Sequence, residues 1–223
     1  MTIQLRAVLY SYVLFSSLLL SLVLVPYCRR LAVHLGVLDR PVSRKAHAKP
    51  MPLLGGIAIY LTFTLVVAAN IGLFLLLRSH PLVARHLPYL VAQSTRLLHV
   101  LPKVLGILVG ATVVTVVGTV DDLAGLHFSP RVKLLGQSLA AAVAIAVGIR
   151  TSFMPGVALD YVISLLWIVG ITNSFNLLDN TDGAAAGIAA IAGSILFAVV
   201  ALQGQVFTAL MLAALVGALL GFL

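Results

Sequence analysis

The chain has 223 residues, of which 61% are apolar and 9% charged, with a net charge of +8. Soluble domains run near a quarter charged, so this composition excludes a water-soluble enzyme and gives an all-α, polytopic transmembrane helix bundle. The basic balance reads as juxtamembrane Lys and Arg meeting anionic lipid and orienting the helices, not as a nucleic-acid surface. A phosphorylated substrate is a second use for the same charge.

Seven apolar segments follow in chain order, at about 8–28, 53–77, 104–120, 134–149, 156–172, 184–202 and 206–223. Each approaches the roughly 20 residues that a membrane helix needs, with the fourth and fifth short. The first segment has one preceding cation, Arg6, and ends at Pro26-Tyr27-Cys28-Arg29-Arg30 without the small residues of a cleavage site, so it is predicted to stay as a span. Cys28 is the single cysteine, which rules out an internal disulfide and is read as a helix-end residue. No internal repeat or linker interrupts the pattern, and 1–223 reads as one membrane domain.

Counting sides along these spans puts Arg29, Arg30, Arg40, Arg44, Lys45, Lys49, Arg131 and Lys133 on one face and Arg6, Arg78, Arg85, Arg96, Lys103 and Arg150 on the other. The excess assigns the first face to the cytoplasm. The chain has no glutamate, and five of its six aspartates, Asp39, Asp121, Asp122, Asp179 and Asp182, fall on that same face, with Asp160 alone opposite. Solvating charges would not sort in this way, so the acids read as a site.

Three polar stretches carry it. The first, Asp39 to Gly56, holds Arg44, Lys45 and His47 between prolines that keep the backbone extended before the second span. Gly55 and Gly56 allow close approach at a helix entrance where free N–H groups meet anions. The plainer alternative is a basic loop that only fixes topology. The second stretch is Asp121-Asp122 at the end of an apolar span, followed by Lys133 and Gln137. Two adjacent carboxylates oppose joint ionisation unless a cation lies between them, and acids at a helix C-terminus also oppose its dipole. Oxygen donors without a nearby Cys or His set favour Mg2+, with Mn2+ as the alternative ion. The competing account is a solvated helix end. The third stretch, Asn173 to Gly183, places Asn173, Asn176 and Asn180 on one stripe if the fifth helix continues, with Asp179 and Asp182 three apart. Polar glue between helices is the alternative there.

Carboxylates suited to a hard divalent ion, a basic loop and a lipid setting fit transfer between phosphates, where the protein supplies positioning and charge stabilisation. At these residues the chain resembles the polyprenyl-phosphate N-acetylhexosamine-1-phosphate transferases, the glycosyltransferase 4 family. Asp39 to Gly56 is similar to the family's D-x-P-x-x-R-K-x-H-x-x-P-x-P-x-x-G-G motif. Asp121-Asp122 with Lys133 and Gln137 resembles its aspartate-pair motif, and Asn173 to Gly187 its N-x-x-N-x-x-D-x-x-D-G motif.

The resemblance implies transfer of GlcNAc-1-phosphate from a UDP-N-acetylhexosamine to a polyprenyl phosphate, releasing UMP, with magnesium. It implies a bacterial cytoplasmic (inner) membrane enzyme with its active face cytoplasmic and a homodimer as the candidate assembly. Asp121 and Asp122 take the catalytic and metal roles. Arg44, Lys45, His47, Lys133, Asn173, Asn176, Asp179 and Asp182 take substrate-binding roles. Leu53-Leu54-Gly55-Gly56 leans toward the GlcNAc-1-phosphate branch, in lipopolysaccharide, teichoic acid or arabinogalactan initiation; the phospho-MurNAc-pentapeptide branch usually has Thr-Met-Gly-Gly there. One departure lies in the third motif, where the common G-L-D-G-L is Asn180-Thr181-Asp182-Gly183-Ala184. The second concerns length. The last segment runs to Leu223 without a polar anchor, so the chain reads as C-terminally truncated, with about seven of about ten or eleven family spans present. A further metal-site aspartate and a histidine-rich loop would then lie beyond Leu223. A transporter, or a catalytically dead membrane scaffold, is the competing class; a transporter predicts acids at mid-span and a repeat.

Overall fold

A computed structural model describes residues 3–39, 51–81, 94–124, 128–178 and 183–223. Among the described residues there are seven helices, one for each apolar segment. They are α1 (Ile3–Leu35), α2 (Gly55–Leu77), α3 (Ser94–Ala124), α4 (Pro130–Ala146), α5 (Val157–Leu178), α6 (Ala184–Leu202) and α7 (Val206–Phe222). Only helices satisfy every backbone group in hydrocarbon, so an apolar sequence of this kind has one available secondary structure. The protein is a polytopic membrane helix bundle. Five helices, α1, α2, α3, α5 and α6, are long and apolar enough to span, and α7 is a shorter apolar helix.

The helices begin and end away from several expected boundaries. The α1 helix covers 33 residues and contains Pro26. It therefore extends about 50 Å, well beyond the roughly 30 Å hydrocarbon layer. Cys28 consequently lies inside α1 and is buried, not at a helix end. The α3 helix starts ten residues before the predicted span, at Ser94, and ends after the acid pair, at Ala124. Beyond α1, Leu38–Asp39 (β1) pairs antiparallel with Met51–Pro52 (β2), Leu38 opposite Pro52 and Asp39 opposite Met51. Extended backbone before the second span was expected from the prolines; its pairing with the stretch after α1 was not. Residues 40–50, with Arg44, Lys45 and His47, lie outside the described residues.

By contacts, the chain divides into two compact units. One comprises Met1–Tyr27, Leu61–Leu101 and Ala186–Leu223; the other comprises Cys28–Tyr60 and Pro102–Ala185.

In the first unit, α1 and α7 run parallel in close contact. Ser17 donates to the Ala214 carbonyl at 2.5 Å and Ser21 to the Ala218 carbonyl at 2.8 Å. Both serines are fully buried. Gly217 and Gly221 of α7 make this approach feasible. A Cβ at Gly221 would lie 2.6 Å from Ser21 Cβ and 2.7 Å from the Leu18 carbonyl, and one at Gly217 would meet the Leu14 carbonyl and Ser17. With lipid tails as apolar as leucine, such contacts depend on small residues that let backbones close in and on hydroxyls that bond across. Tyr10 of α1 adds an edge-on ring contact with Phe197 of α6 at 5.3 Å.

In the second unit, α3 and α4 are antiparallel and meet through glycines. A Cβ at Gly110 would stand 3.3 Å from the Ala140 carbonyl, and one at Gly136 would meet the Val117 side chain. The α5 helix packs on α4. The connection between α4 and α5 turns at Gly148, φ 87°, and is fastened by Asp160. Its carboxylate accepts from Thr151 Oγ1 and from the Met154 N–H, each at 3.2 Å, and the residue is 6% exposed. The isolated acid of the opposite face is thus accounted for as a structural fastening at the start of α5.

The α1–α7 contact makes a direct prediction. Gly217→Ala should overpack the interface and destabilise the protein by about 1–3 kcal/mol. Gly72→Ala, where an added Cβ meets nothing within 4 Å, should not. Thermal unfolding of both variants in detergent measures the difference.

Candidate functional site

The second unit brings two of the predicted polar stretches to one end of a helix trio. Asp121 and Asp122 occupy the last turn of α3, and Lys133 lies in the first turn of α4. Because α3 and α4 are antiparallel, these turns are neighbours. Lys133 Nζ donates to Asp121 Oδ2 at 2.5 Å, the side chains being 19% and 25% exposed. The pairing answers an electrostatic problem set by the sequence. Carboxylates at a helix C-terminus meet the negative end of the dipole, and an ammonium supplied by the next helix offsets it.

One turn further along α4, Gln137 is buried at 4% exposure. Its amide meets that of Asn173 on α5 in a reciprocal pair: Asn173 Nδ2 donates to Gln137 Oε1 at 2.8 Å, and Gln137 Nε2 to Asn173 Oδ1 at 3.3 Å. Asn173 Nδ2 also reaches the Val169 carbonyl at 3.1 Å. Thus the aspartate-pair stretch and the start of the Asn-Asp stretch are joined through α4. Lys133 and Gln137 are four apart and share a helix face. Lys133 reaches toward α3 and Gln137 toward α5.

The expected continuation of the fifth helix is present. The α5 helix runs through Asn173 and Asn176 to Leu178, and Asn176 is exposed. Gly183 then adopts φ 69°, the left-handed turn expected before the sixth span. Asp179 and Asp182, like Asn180, lie outside the described residues, as do Arg44, Lys45 and His47. Gln137 was visible only as part of a motif. Its role could have been sensed from a lone amide in an apolar helix, four residues after a lysine.

The donor chemistry suits a hard divalent ion. Asp121 and Asp122 provide carboxylate oxygens at a polar helix end, and Asp121 keeps one oxygen besides the one that Lys133 engages. Adjacent residues on a helix diverge by about 100°, however, so the two carboxylates alone do not close around one ion. Among the described residues no group of three or more His, Cys, Asp or Glu forms a metal cluster. Asp121 and Asp122 therefore fit as a partial donor set.

Comparison with known proteins adds the family. The model for glycosyl transferase family 4 matches residues 104–223. That stretch is more than half of the chain and contains Asp121, Lys133, Gln137 and Asn173.

The chain belongs to glycosyl transferase family 4.

As a family 4 member it is 34% identical over 217 residues to the probable undecaprenyl-phosphate N-acetylglucosaminyl 1-phosphate transferase of Bacillus subtilis, covering 93% of this chain and 52% of that protein. It is 28% identical over 176 residues to the decaprenyl-phosphate N-acetylglucosaminephosphotransferase of Mycolicibacterium smegmatis, covering 74% and 38%. A phospho-N-acetylmuramoyl-pentapeptide-transferase of Geobacillus kaustophilus is 31% identical over 93% of the chain and 62% of its own length. The chain spans between about two-fifths and three-fifths of these curated relatives. Within the family 4 framework, the acid pair, Lys133 and the Gln137–Asn173 pair are the parts of the candidate site that are described.

The amide pair yields a test. Gln137→Leu strands the Asn173 amide and should cost about 1–3 kcal/mol, whereas Gln137→Leu with Asn173→Leu should recover part of that loss, since removing both partners leaves no orphaned group. Thermal unfolding of the single and double variants decides it.

Proposed function

We propose that the protein transfers N-acetylhexosamine-1-phosphate, in the GlcNAc-1-phosphate form, from a UDP-sugar to a polyprenyl phosphate. The reading locates the reaction on the cytoplasmic face of a bacterial inner membrane, with 1–223 contributing as one membrane domain. What supports it most is the Asp121–Lys133 ion pair beside the Gln137–Asn173 amide pair, which gathers polar groups at one end of α3, α4 and α5 in a family 4 chain. The named activity of the Bacillus subtilis relative agrees with it.

In this reading a phosphate oxygen of the lipid attacks the sugar-bearing phosphorus of the UDP-sugar. The bridging P–O bond breaks and UMP leaves. Magnesium, with manganese as a substitute, would be held by Asp121 and Asp122, with Asp179 and Asp182 completing the acidic groups, and would neutralise charge on the phosphates. Asp122 or Asp121 accepts the proton of the attacking phosphate when that group arrives protonated. Lys133 keeps Asp121 ionised and in place. The Gln137–Asn173 pair fixes the pitch of α5, so that Asn176, Asp179 and Asp182 stand toward the nucleotide sugar. Arg44, Lys45 and His47 bind phosphate oxygens through charge-assisted bonds.

A second reading has one observation in its favour, the 31% identity to the Geobacillus kaustophilus pentapeptide transferase over most of the chain. In that reading the donor sugar is N-acetylmuramoyl-pentapeptide. The Leu53-Leu54-Gly55-Gly56 entrance weighs against it.

The test uses membranes holding the protein, with undecaprenyl phosphate, magnesium and either UDP-GlcNAc or UDP-MurNAc-pentapeptide, and follows UMP release. UDP-GlcNAc should be the donor used. Asp121→Asn and Asp122→Asn should each lower turnover by about 100-fold or more, and chelation of the metal should remove it. Undiminished turnover in both variants sinks the assignment, and turnover with only the pentapeptide donor selects the second reading.

A further inference from the structure

All six acids of the chain lie at positions 39, 121, 122, 160, 179 and 182, within the second unit. The first unit therefore contains Arg6, Arg78, Arg85 and Arg96 and no acidic residue. Its cations need a counter-charge from outside that unit, and Arg6 is where the need is sharpest.

Arg6 sits two turns or less from the start of α1, and its Nε is buried without a hydrogen-bond partner. The side chain lies against the turn between α6 and α7, with Nη1 3.5 Å from where a Cβ of Gly204 would stand. Gly204 takes φ 73° and closes α6 with its own backbone bonds, Gly204 N–H to the Ala201 carbonyl and Gln205 N–H to the Val200 carbonyl. The α6 end is thus capped without the arginine. A guanidinium with a buried, unbonded nitrogen costs free energy unless an anion reaches it.

Its surroundings are positive as well. The parallel register set by Ser17 with Ala214 and Ser21 with Ala218 places the starts of α1 and α7 at one level. Neither helix has an acid in its first turn, and Gln205, the residue capping α7, makes no side-chain capping bond. Two positive helix ends and one arginine therefore converge where no carboxylate of the unit exists. A cation in the first turn of α1 is itself unfavourable until an anion offsets it. The flanks are apolar and open: Ile3 is 86% exposed and Leu202 is 90% exposed. A ligand that presents a negative phosphate to Arg6 and hydrocarbon to Ile3 and Leu202 matches both features.

We propose that Arg6, at the joined ends of α1 and the α6–α7 turn, is a binding site for the phosphate group of an anionic phospholipid. Free phosphate shares the recognising chemistry but not the contact with Ile3 and Leu202. The site is separate from the Asp121 end and does not depend on the transferase reading.

The experiment takes the full chain purified in neutral detergent and measures binding of phosphatidylglycerol by native mass spectrometry and by thermal stabilisation. Arg6→Gln should weaken the affinity by about tenfold or more, as loss of one charge-assisted contact implies. Arg6→Lys should keep part of it, and Arg78→Gln should leave it within about twofold, because Arg78 tests charge alone. Inorganic phosphate should neither stabilise the protein nor displace the lipid; if it does both, the site is confirmed as a phosphate site and the lipid assignment falls. Equal affinity in wild type and Arg6→Gln, or equal losses in Arg6→Gln and Arg78→Gln, overturns the proposal. If Arg6→Gln does not fold, wild type decides: stabilisation by phosphatidylcholine equal to that by phosphatidylglycerol overturns it.

Discussion

A polar side chain in hydrocarbon has no water to turn to, so its position is fixed by whatever other polar group the fold brings within reach. In this protein that constraint organises the second unit. Asp121 of α3 finds Lys133 of α4, and Gln137 of α4 finds Asn173 of α5. Each link by itself is modest. Together they set the axial register of three helices at one end, and the glycine contacts between α3 and α4 let the backbones come close enough for the links to form. The same rule governs the other end, where Asp160 gathers Thr151 and the Met154 N–H.

These two polar ends differ in what they leave over. At the Asp160 end the acceptor is buried and engaged by local donors, and the result is a fastened turn. At the Asp121 end, carboxylate and lysine remain partly exposed, and the amide pair beneath them holds the helices. An acid enclosed by local donors stiffens a loop. An acid paired at a helix end, with exposed oxygen, keeps the ability to meet a ligand. That contrast separates the structural aspartate from the functional candidates on physical grounds.

Much of this was legible in the sequence. Apolar run length gave one helix for each of the seven segments, because in lipid there is no competing secondary structure for such runs. The sidedness of the aspartates followed from span counting, and α5 carries Asp160 at one end and Asn173 at the other. Other features were not legible. Helix ends beyond the apolar runs, such as Ser94 to Leu97 and Arg29 to Leu35, are polar or mixed, and hydropathy carries no information about whether helical hydrogen bonding continues there. The pairing of Leu38–Asp39 with Met51–Pro52 joins backbone groups across eleven intervening residues, and no side-chain pattern encodes it. The partner of Gln137 was likewise hidden, since nothing in the spacing says which of several amides it meets.

The parallel contact between α1 and α7 has a consequence for biogenesis. Ser17 and its acceptor Ala214 are separated by 197 positions, as are Ser21 and Ala218. At roughly 5–20 residues per second of translation, the first helix enters the bilayer about ten to forty seconds before its neighbour is made. During that interval its two hydroxyls must turn back to carbonyls of their own helix, as serines in helices do. The arrival of α7 exchanges these local bonds for bonds between helices, so the last helix synthesised locks the first one in place.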